Sequence, residues 1–329
     1  MGFSVGIGLT NDCNLSCAHC YRDTQRVENL SLAQIQLICA QLPVDAMGFG
    51  TGENAKNPEF LQIVDYLHGR GVRLSLASNG YSLMALDDAH LQMFHDVEVS
   101  VDFANEHQQD AFRNPGNWAL VHEVIARCQA LHVPVSLLAT LMSVNYDQMP
   151  ELVDLARRLR VHLRVNAYQS VKTDVFRLTY AQFWHGYRTL FATAHVISCA
   201  EPVVRAAMGF ADSHSPCGHT SIRFNPHGQV IPCVYWPTAA TMPTIADLPR
   251  LGASVLESRE FLAARQTPAV AAACKCQGGC ASRRALRGEL NAHDAYCPWS
   301  RGEDPRLVWT AAPAVDLMRS RNVCTTIVT

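Results

Sequence analysis

"DCNLSCAHCYRD", residues 12–23, sets Cys13, Cys17 and Cys20 in one loop, with three and then two residues between them. The loop follows FSVGIGLT, an apolar run that reads as a strand. Three thiolates so spaced converge on one inorganic centre, whereas a four-iron cluster normally takes four cysteines. One iron then stays open. An open coordination position is what separates a reactive metal site from a closed structural one. The other reading of the loop is a zinc ion completed by His19 or Asp12.

Outward from the loop, residues 3 to 168 alternate short apolar runs with amphipathic segments, the pattern of strand and helix units around a parallel sheet. The predicted strands are FSVGIGLT, AMGFGTG, VRLSLASN, VEVSVDF, VPVSLLATLM and VHLRVNAYQ. Helices are predicted near 31–42, 58–70, 87–94, 118–131 and 147–160. Cys39 and Cys128 recur at helical spacing with apolar neighbours and read as core residues. Past residue 200 the rhythm stops. SIRFNPHGQVIPCVYW reads as two strands around the turn at Pro226–Gly228, and the rest is rich in cysteine, proline and alanine. The expected division is therefore 1–199 and 200–329.

The bulk properties exclude several classes. A length of 329 residues with 48% hydrophobic content supports two domains with ample core. A formal net charge of -2 gives no reason to expect nucleic acid or an anionic membrane as partner. No apolar run approaches the roughly 20 residues of a membrane span. The first residues lack the pattern of a secretory signal, so a cytoplasmic location is expected. Thirteen cysteines in a reducing compartment point to metal ligands before disulfides.

The loop with its following aromatic, Tyr21, resembles the C-x3-C-x2-C signature of the radical S-adenosylmethionine (SAM) superfamily. That resemblance implies an open, partial (β/α)6 TIM-like barrel. It also implies a [4Fe-4S] cluster whose open iron chelates SAM, and reductive cleavage of SAM to a 5′-deoxyadenosyl radical. GFGTGEN resembles the family's Gly-Gly-Glu element, so Gly50, Gly52 and Glu53 are expected at the SAM amino group, with Thr51 where glycine is commoner. By the same resemblance Ser78 and Asn79 face the SAM pocket, Ser100 and Asp102 meet the ribose, Asn145 follows the fifth strand, and Arg164 takes the SAM carboxylate. A Ser, Asn or Asp at a strand end also serves as a turn or helix cap.

Six further cysteines cluster late: Cys217, Cys233, Cys274, Cys276, Cys280 and Cys297. CGHTSIRFNPHGQVIPC, CKCQGGC and YCP resemble the SPASM or shorter twitch extension, a small cysteine-rich α+β domain carrying one or two auxiliary [4Fe-4S] clusters. Cys217, Cys233 and Cys280 are expected in a first cluster, and Cys274, Cys276 and Cys297 in a second that lacks a ligand. Cys199, Cys324, Asp212 and His214 are candidates to complete the sets, Cys199 and Cys324 reading equally as plain unligated thiols, and a zinc ribbon is the alternative for all six thiols. Arg283, Arg284 and Arg287 share a helical face that reads as solvated or as a dock for an acidic leader peptide. RSRNVCTTIVT reads as an edge strand or a frayed tail.

Three functions compete. The first is a radical SAM maturase that abstracts hydrogen from a ribosomally made precursor peptide and installs a cross-link, thioether or epimerised centre, with flavodoxin or ferredoxin as electron donor. The second is the same chemistry on a small molecule or cofactor precursor, which the short chain without a preceding peptide-binding segment favours. The third is an iron–sulfur electron carrier or zinc-binding protein, which explains the thiols but not the strand ends.

Overall fold

In residues 4–7, 74–78, 97–100 and 163–167, apolar side chains alternate with small or polar ones. A strand sends successive side chains to opposite faces, so each of these segments has one greasy and one polar side. The computed structural model, which describes residues 2–210, 217–219, 221–318 and 324–329, shows where the two sides go. Asp212 and His214 lie outside the described residues. Strands β1 (Phe3–Ile7), β2 (Val44–Phe49), β3 (Arg73–Ser78), β4 (Asp96–Ser100), β5 (Val135–Leu141) and β6 (His162–Ala167) pair in parallel, each with the next. The expected six strands are thus present, in sequential order. Val5, Ile7, Met47, Phe49, Leu74, Leu76, Val97, Val99, Leu163 and Val165 are buried in one core with Ile35, Ile38, Ile63, Leu67 and Val124 of the crossover helices. Ser4, Gly6, Gly48, Ser75, Ala77, Ser100, Thr140 and Asn166, from the opposite face, all line one cavity. A flat sheet could not bring them together, so the sheet is rolled around its polar face. Among the described residues β1 and β6 do not pair, and the barrel is open.

The late strands extend this sheet. β7 is Val196–Cys199, β8 Ser221–Phe224, β9 Val230–Ile231 and β10 Thr325–Val328, and the full order is β7-β10-β6-β5-β4-β3-β2-β1-β8-β9. β8 runs parallel to β1 and antiparallel to β9, the hairpin expected around residues 226–228. At its turn Gly228 has φ +76°, a left-handed conformation that glycine adopts without a Cβ penalty. β10 corrects the reading of the last residues as an edge strand or frayed tail. It lies between β6 and β7, antiparallel to both, with all four residues buried. Its run Thr-Thr-Ile-Val has no polar face, as a strand covered on both sides requires.

A second correction concerns the arginine face. The helix Ala281–Leu286 buries Arg283 and Arg284, while Arg287 at its C-cap is exposed. Arg283 holds Asp294 at 2.7 Å and Glu201 at 2.8 Å, and its guanidinium lies 4.7 Å from the Tyr296 ring centroid. Two carboxylates and an aromatic face offset the cost of desolvating the cation. Arg283→Ala strands both carboxylates and is expected to destabilise the protein by about 3–5 kcal/mol. Arg287→Ala, which loses a surface pair with Glu289, should stay within about 0.5 kcal/mol. Urea unfolding measures both, and equal shifts would contradict this packing.

Candidate active site

The cysteine loop is held from three sides. Arg22 donates to Asn11 O at 2.8 Å and to Leu15 O at 2.5 Å, tying the loop's two ends. Asp12 accepts from the Cys13 N–H at 2.7 Å and pairs with Lys56 at 3.0 Å. From the end of β2, the Glu53 N–H donates to Asp12 O at 2.8 Å. That contact needs glycine beside it. Gly52 has φ +67°, and a Cβ there would sit 2.4 Å from Asp12 O and 2.6 Å from Thr10 O. The loop so held turns Cys13, Cys17 and Cys20 to the mouth of the barrel cavity, where they are the only cysteines in the wall among the described residues. The Leu15 N–H lies 3.4 Å and the Asn79 amide 3.7 Å from the Cys13 sulfur. Burial pushes the Cys13 thiol up to about 11, so a cation is needed to displace its proton at neutral pH.

The zinc reading of the loop has lost its fourth ligands. Asp12 is engaged by Lys56. His19 stacks on Phe112 with centroids 4.7 Å apart and has Nε2 3.7 Å from Asp102. Among the described residues, no three donors of this loop lie within 4.8 Å of one another, wider than the ligands of a single zinc ion stand. Two buried polar atoms in the cavity wall, His19 Nδ1 and Gln169 Oε1, have no hydrogen-bond partner among the described residues. Native interiors rarely leave such atoms unpaired, and a bound ligand satisfies them.

Tyr21, Gly50, Gly52, Glu53, Ser78, Asn79 and Ser100 all line the cavity. Their tasks differ from one another. A Cβ at Gly50 would meet nothing within 4 Å, so this is open backbone facing the lumen. Glu53 instead spends its carboxylate on the protein, accepting from Ser78 Oγ at 2.7 Å, Ser82 Oγ at 2.6 Å and the Asn79 N–H at 2.6 Å. Burial pushes its carboxyl up while those donors pull it down.

Three expected SAM contacts stand elsewhere. Asp102 is fully buried, accepting from Arg113 at 2.7 Å and the Thr140 N–H at 2.9 Å. Asn145 ties the ends of β4 and β5 by bonds to Met142 N, Asp102 O and Thr140 O. Arg164 faces the lumen but lies two residues below Asn166 on β6, about 7 Å deeper. There Asp96 and Glu98 neutralise it, so its guanidinium is not free for a carboxylate from a ligand. Arg113 does line the cavity and was missed. It ends the helix Glu106–Arg113, whose residues are polar nearly all round, so apolar periodicity passes over it. The one signal was its N-cap, Asn105, which accepts from the Gln108 N–H.

The late cysteines form two groups. Cys217, Cys233 and Cys280 line one small buried cavity together with Cys324, the residue before β10. Asn166, Gln169 and Tyr235 belong to the walls of both this cavity and the larger one. Only that layer separates them. Cys274, Cys276 and Cys297 lie apart, with neighbouring sulfurs 3.6 Å from one another and His293 alongside. Cys199 joins neither group; its sulfur contacts Thr326 Oγ1 at 3.2 Å.

Thr51 carries strain. Its φ of +72° is disfavoured for a β-branched residue, and its hydroxyl shares a 2.8 Å hydrogen bond with Tyr21. Thr51→Ala keeps the strain and loses the bond, while Thr51→Gly relieves about 1–3 kcal/mol of strain. The glycine variant should therefore be the more stable of the two by thermal unfolding, against the usual order; an alanine variant more stable than glycine would contradict the strain.

Comparison with known proteins agrees with this geometry. Residues 7–156 match the Radical SAM superfamily. Mycofactocin maturase MftC of Mycolicibacterium smegmatis is 28% identical over 48% of this chain and 42% of its own length. The S-adenosylmethionine-dependent nucleotide dehydratase of Selenomonas ruminantium is 27% identical over 50% of this chain and 55% of its own. The chain thus spans about half the length of these relatives. The solved structure of anSMEcpe with bound AdoMet and Cp18Cys peptide shares the fold, with TM-score 0.69 at 15% identity over 91% of this chain and 94% of that one. Its reach past residue 200 takes in the cysteine-rich region. The cysteine loop and the strand-end turn both lie inside the segment that matches the Radical SAM superfamily, and over that half the chain is similar to maturases.

Proposed function

We propose that the cavity holds SAM against a [4Fe-4S] cluster on Cys13, Cys17 and Cys20, and that the enzyme modifies a ribosomally made peptide. What supports a peptide is a groove continuous with the cavity. Tyr21, Arg22, Thr51, Val234 and Tyr235 line both, and the groove runs on past Asp23, Lys172 and His227. An extended chain lying there presents one residue to the cavity while its neighbours rest on the groove. The peptide held by the fold neighbour points the same way.

The residues divide the work. Cys13, Cys17 and Cys20 hold the cluster, and Asn79 and the Leu15 N–H steady the first sulfur. Gly50 leaves backbone open to the SAM amino group, Gly52 lets the turn reach the loop, and Glu53 with Ser78 fixes the turn. Ser100 and Arg113 supply donors from the opposite wall, with Asp102 and Asn145 behind Arg113 as its frame. With cluster and SAM bound, the site supplies an electron and a 5′-deoxyadenosyl radical that takes a hydrogen atom from the substrate. Cys217, Cys233, Cys280 and Cys324 would hold an auxiliary cluster behind the Tyr235 layer, and such a cluster would supply a one-electron acceptor there. Residues 1–199 then carry the radical core and 200–329 the auxiliary region, with a flavodoxin or ferredoxin as donor. The product is a cross-link, thioether or epimerised centre. A small-molecule substrate is the second reading, favoured by the likeness to the nucleotide dehydratase.

Reduced anaerobically with SAM, the reconstituted protein should release 5′-deoxyadenosine, and Cys13→Ala should abolish the release. Adding a short peptide, should one be encoded beside its gene, should accelerate it and leave the peptide two hydrogens lighter, or deuterated from D2O if epimerised. Lys172→Glu should raise KM for that peptide about tenfold, a loss of about 1.4 kcal/mol. Unmodified peptides alongside stimulation by a nucleotide would select the second reading.

A further inference from the structure

The donors at Cys274, His293 and Cys297 are spaced for one ion, and Cys276 stands beside them against Cys297. Cys297 Sγ lies 3.6 Å from Cys274 Sγ and 3.6 Å from Cys276 Sγ, and His293 Nδ1 lies 3.6 Å from Cys274 Sγ. Tetrahedral zinc, with Zn–S about 2.3 Å and Zn–N about 2.0–2.1 Å, puts two sulfurs about 3.8 Å apart and sulfur and nitrogen about 3.6 Å apart. A disulfide, with sulfurs about 2.05 Å apart, does not fit. Nor does a four-iron cluster, since its irons and sulfides must lie between the thiolates and hold them well apart. Cys274, His293 and Cys297 offer three donor atoms all within 4.8 Å of one another, the one trio so close among the described residues. The fourth thiol, Cys276, touches Cys297.

Local backbone supports a closed structural site. Gln277, Gly278 and Gly279 have φ of +47°, +93° and +66°, three left-handed residues in succession that double the chain back just after Cys276. A glutamine in that conformation persists where its surroundings over-determine it. The other half of the site is fixed by Asp294. Its carboxylate accepts from the Cys280 N–H at 2.6 Å and from Arg283 at 2.7 Å, and its backbone carbonyl accepts from the Cys297 N–H at 3.0 Å. His293 and Cys297 are thus presented from a short, pinned segment. None of the four side chains lines the barrel cavity, so the site is remote from the radical chemistry.

We propose that Cys274, Cys276, His293 and Cys297 bind a single structural zinc ion, and that the second late cysteine group is not an iron–sulfur site. Three thiolates and an imidazole are a closed zinc set, and the ion staples the 274–280 turn to the 293–297 segment. This goes beyond the proposed radical function and stands or falls separately from it.

The test is metal content and zinc X-ray absorption on the full chain, purified anaerobically with its clusters. About one zinc per chain is expected, with a shell of three sulfurs and one nitrogen. His293→Cys should keep the zinc and change the shell to four sulfurs, and Cys297→Ser should lose zinc with iron unchanged. If Cys297→Ser does not fold, the native and His293→Cys spectra decide. Absence of zinc from the native protein, iron falling by about four per chain in Cys297→Ser, or a nitrogen retained in the His293→Cys shell would each overturn the assignment.

Discussion

The site depends on one close approach of backbone to backbone. The turn ending β2 must come within hydrogen-bond distance of Asp12 for the cysteine loop to close over the cavity, and only a residue without a Cβ passes between Asp12 O and Thr10 O. Gly52 permits it. Once that contact is made, Glu53 is placed to gather Ser78, Ser82 and Asn79, and Asn79 in turn reaches the Cys13 sulfur. A single chain of hydrogen bonds thus joins the ends of β2 and β3 to the loop. The neighbouring Thr51 bears the cost of the same turn, and its bond to Tyr21 offsets part of it. Strain of this kind is kept where the surrounding structure over-determines it.

The remainder of the architecture serves the polar lumen. Small residues at Gly6, Gly48, Gly50 and Ala77 keep it open, while the apolar side chains of the opposite face pack in one core with those of the crossover helices. At its base Arg164, Asp96 and Glu98 form a buried charge cluster that closes the floor. Tyr235 joins the lumen to the region after residue 200, packing edge-on against Tyr21 with centroids 5.1 Å apart. Cys217, Cys233 and Cys280 therefore sit in a small cavity that shares the Asn166, Gln169 and Tyr235 wall with the lumen.

Much of this was legible in the residues. The six parallel strands follow from their alternation, and the loop and strand-end motifs carry their own spacing. What alternation does not report is depth along a strand: Arg164 has the right parity for the lumen but lies at its floor, where two acids claim it. Nor does a charged pattern show that distant acids will bury it, as Glu201 and Asp294 do for Arg283. The helix ending in Arg113 was invisible to periodicity because tertiary contacts, above all Gln109 with the backbone of Asp102 and Phe103, hold a helix with little apolar face. His293 and Cys324 could not be matched to their groups from spacing, since each arrives from a segment whose position only the fold sets.

The central claim is that the loop of Cys13, Cys17 and Cys20 leaves one iron for SAM. Electron–nuclear double resonance on the reduced protein, with SAM carrying 15N in its methionyl amino group, tests it most directly. In a Cys217→Ala, Cys233→Ala background, which simplifies the spectrum, a 15N coupling to the remaining cluster is expected, and it should vanish with Cys17→Ala. A reduced cluster whose resonance is unchanged by labelled SAM would contradict the account.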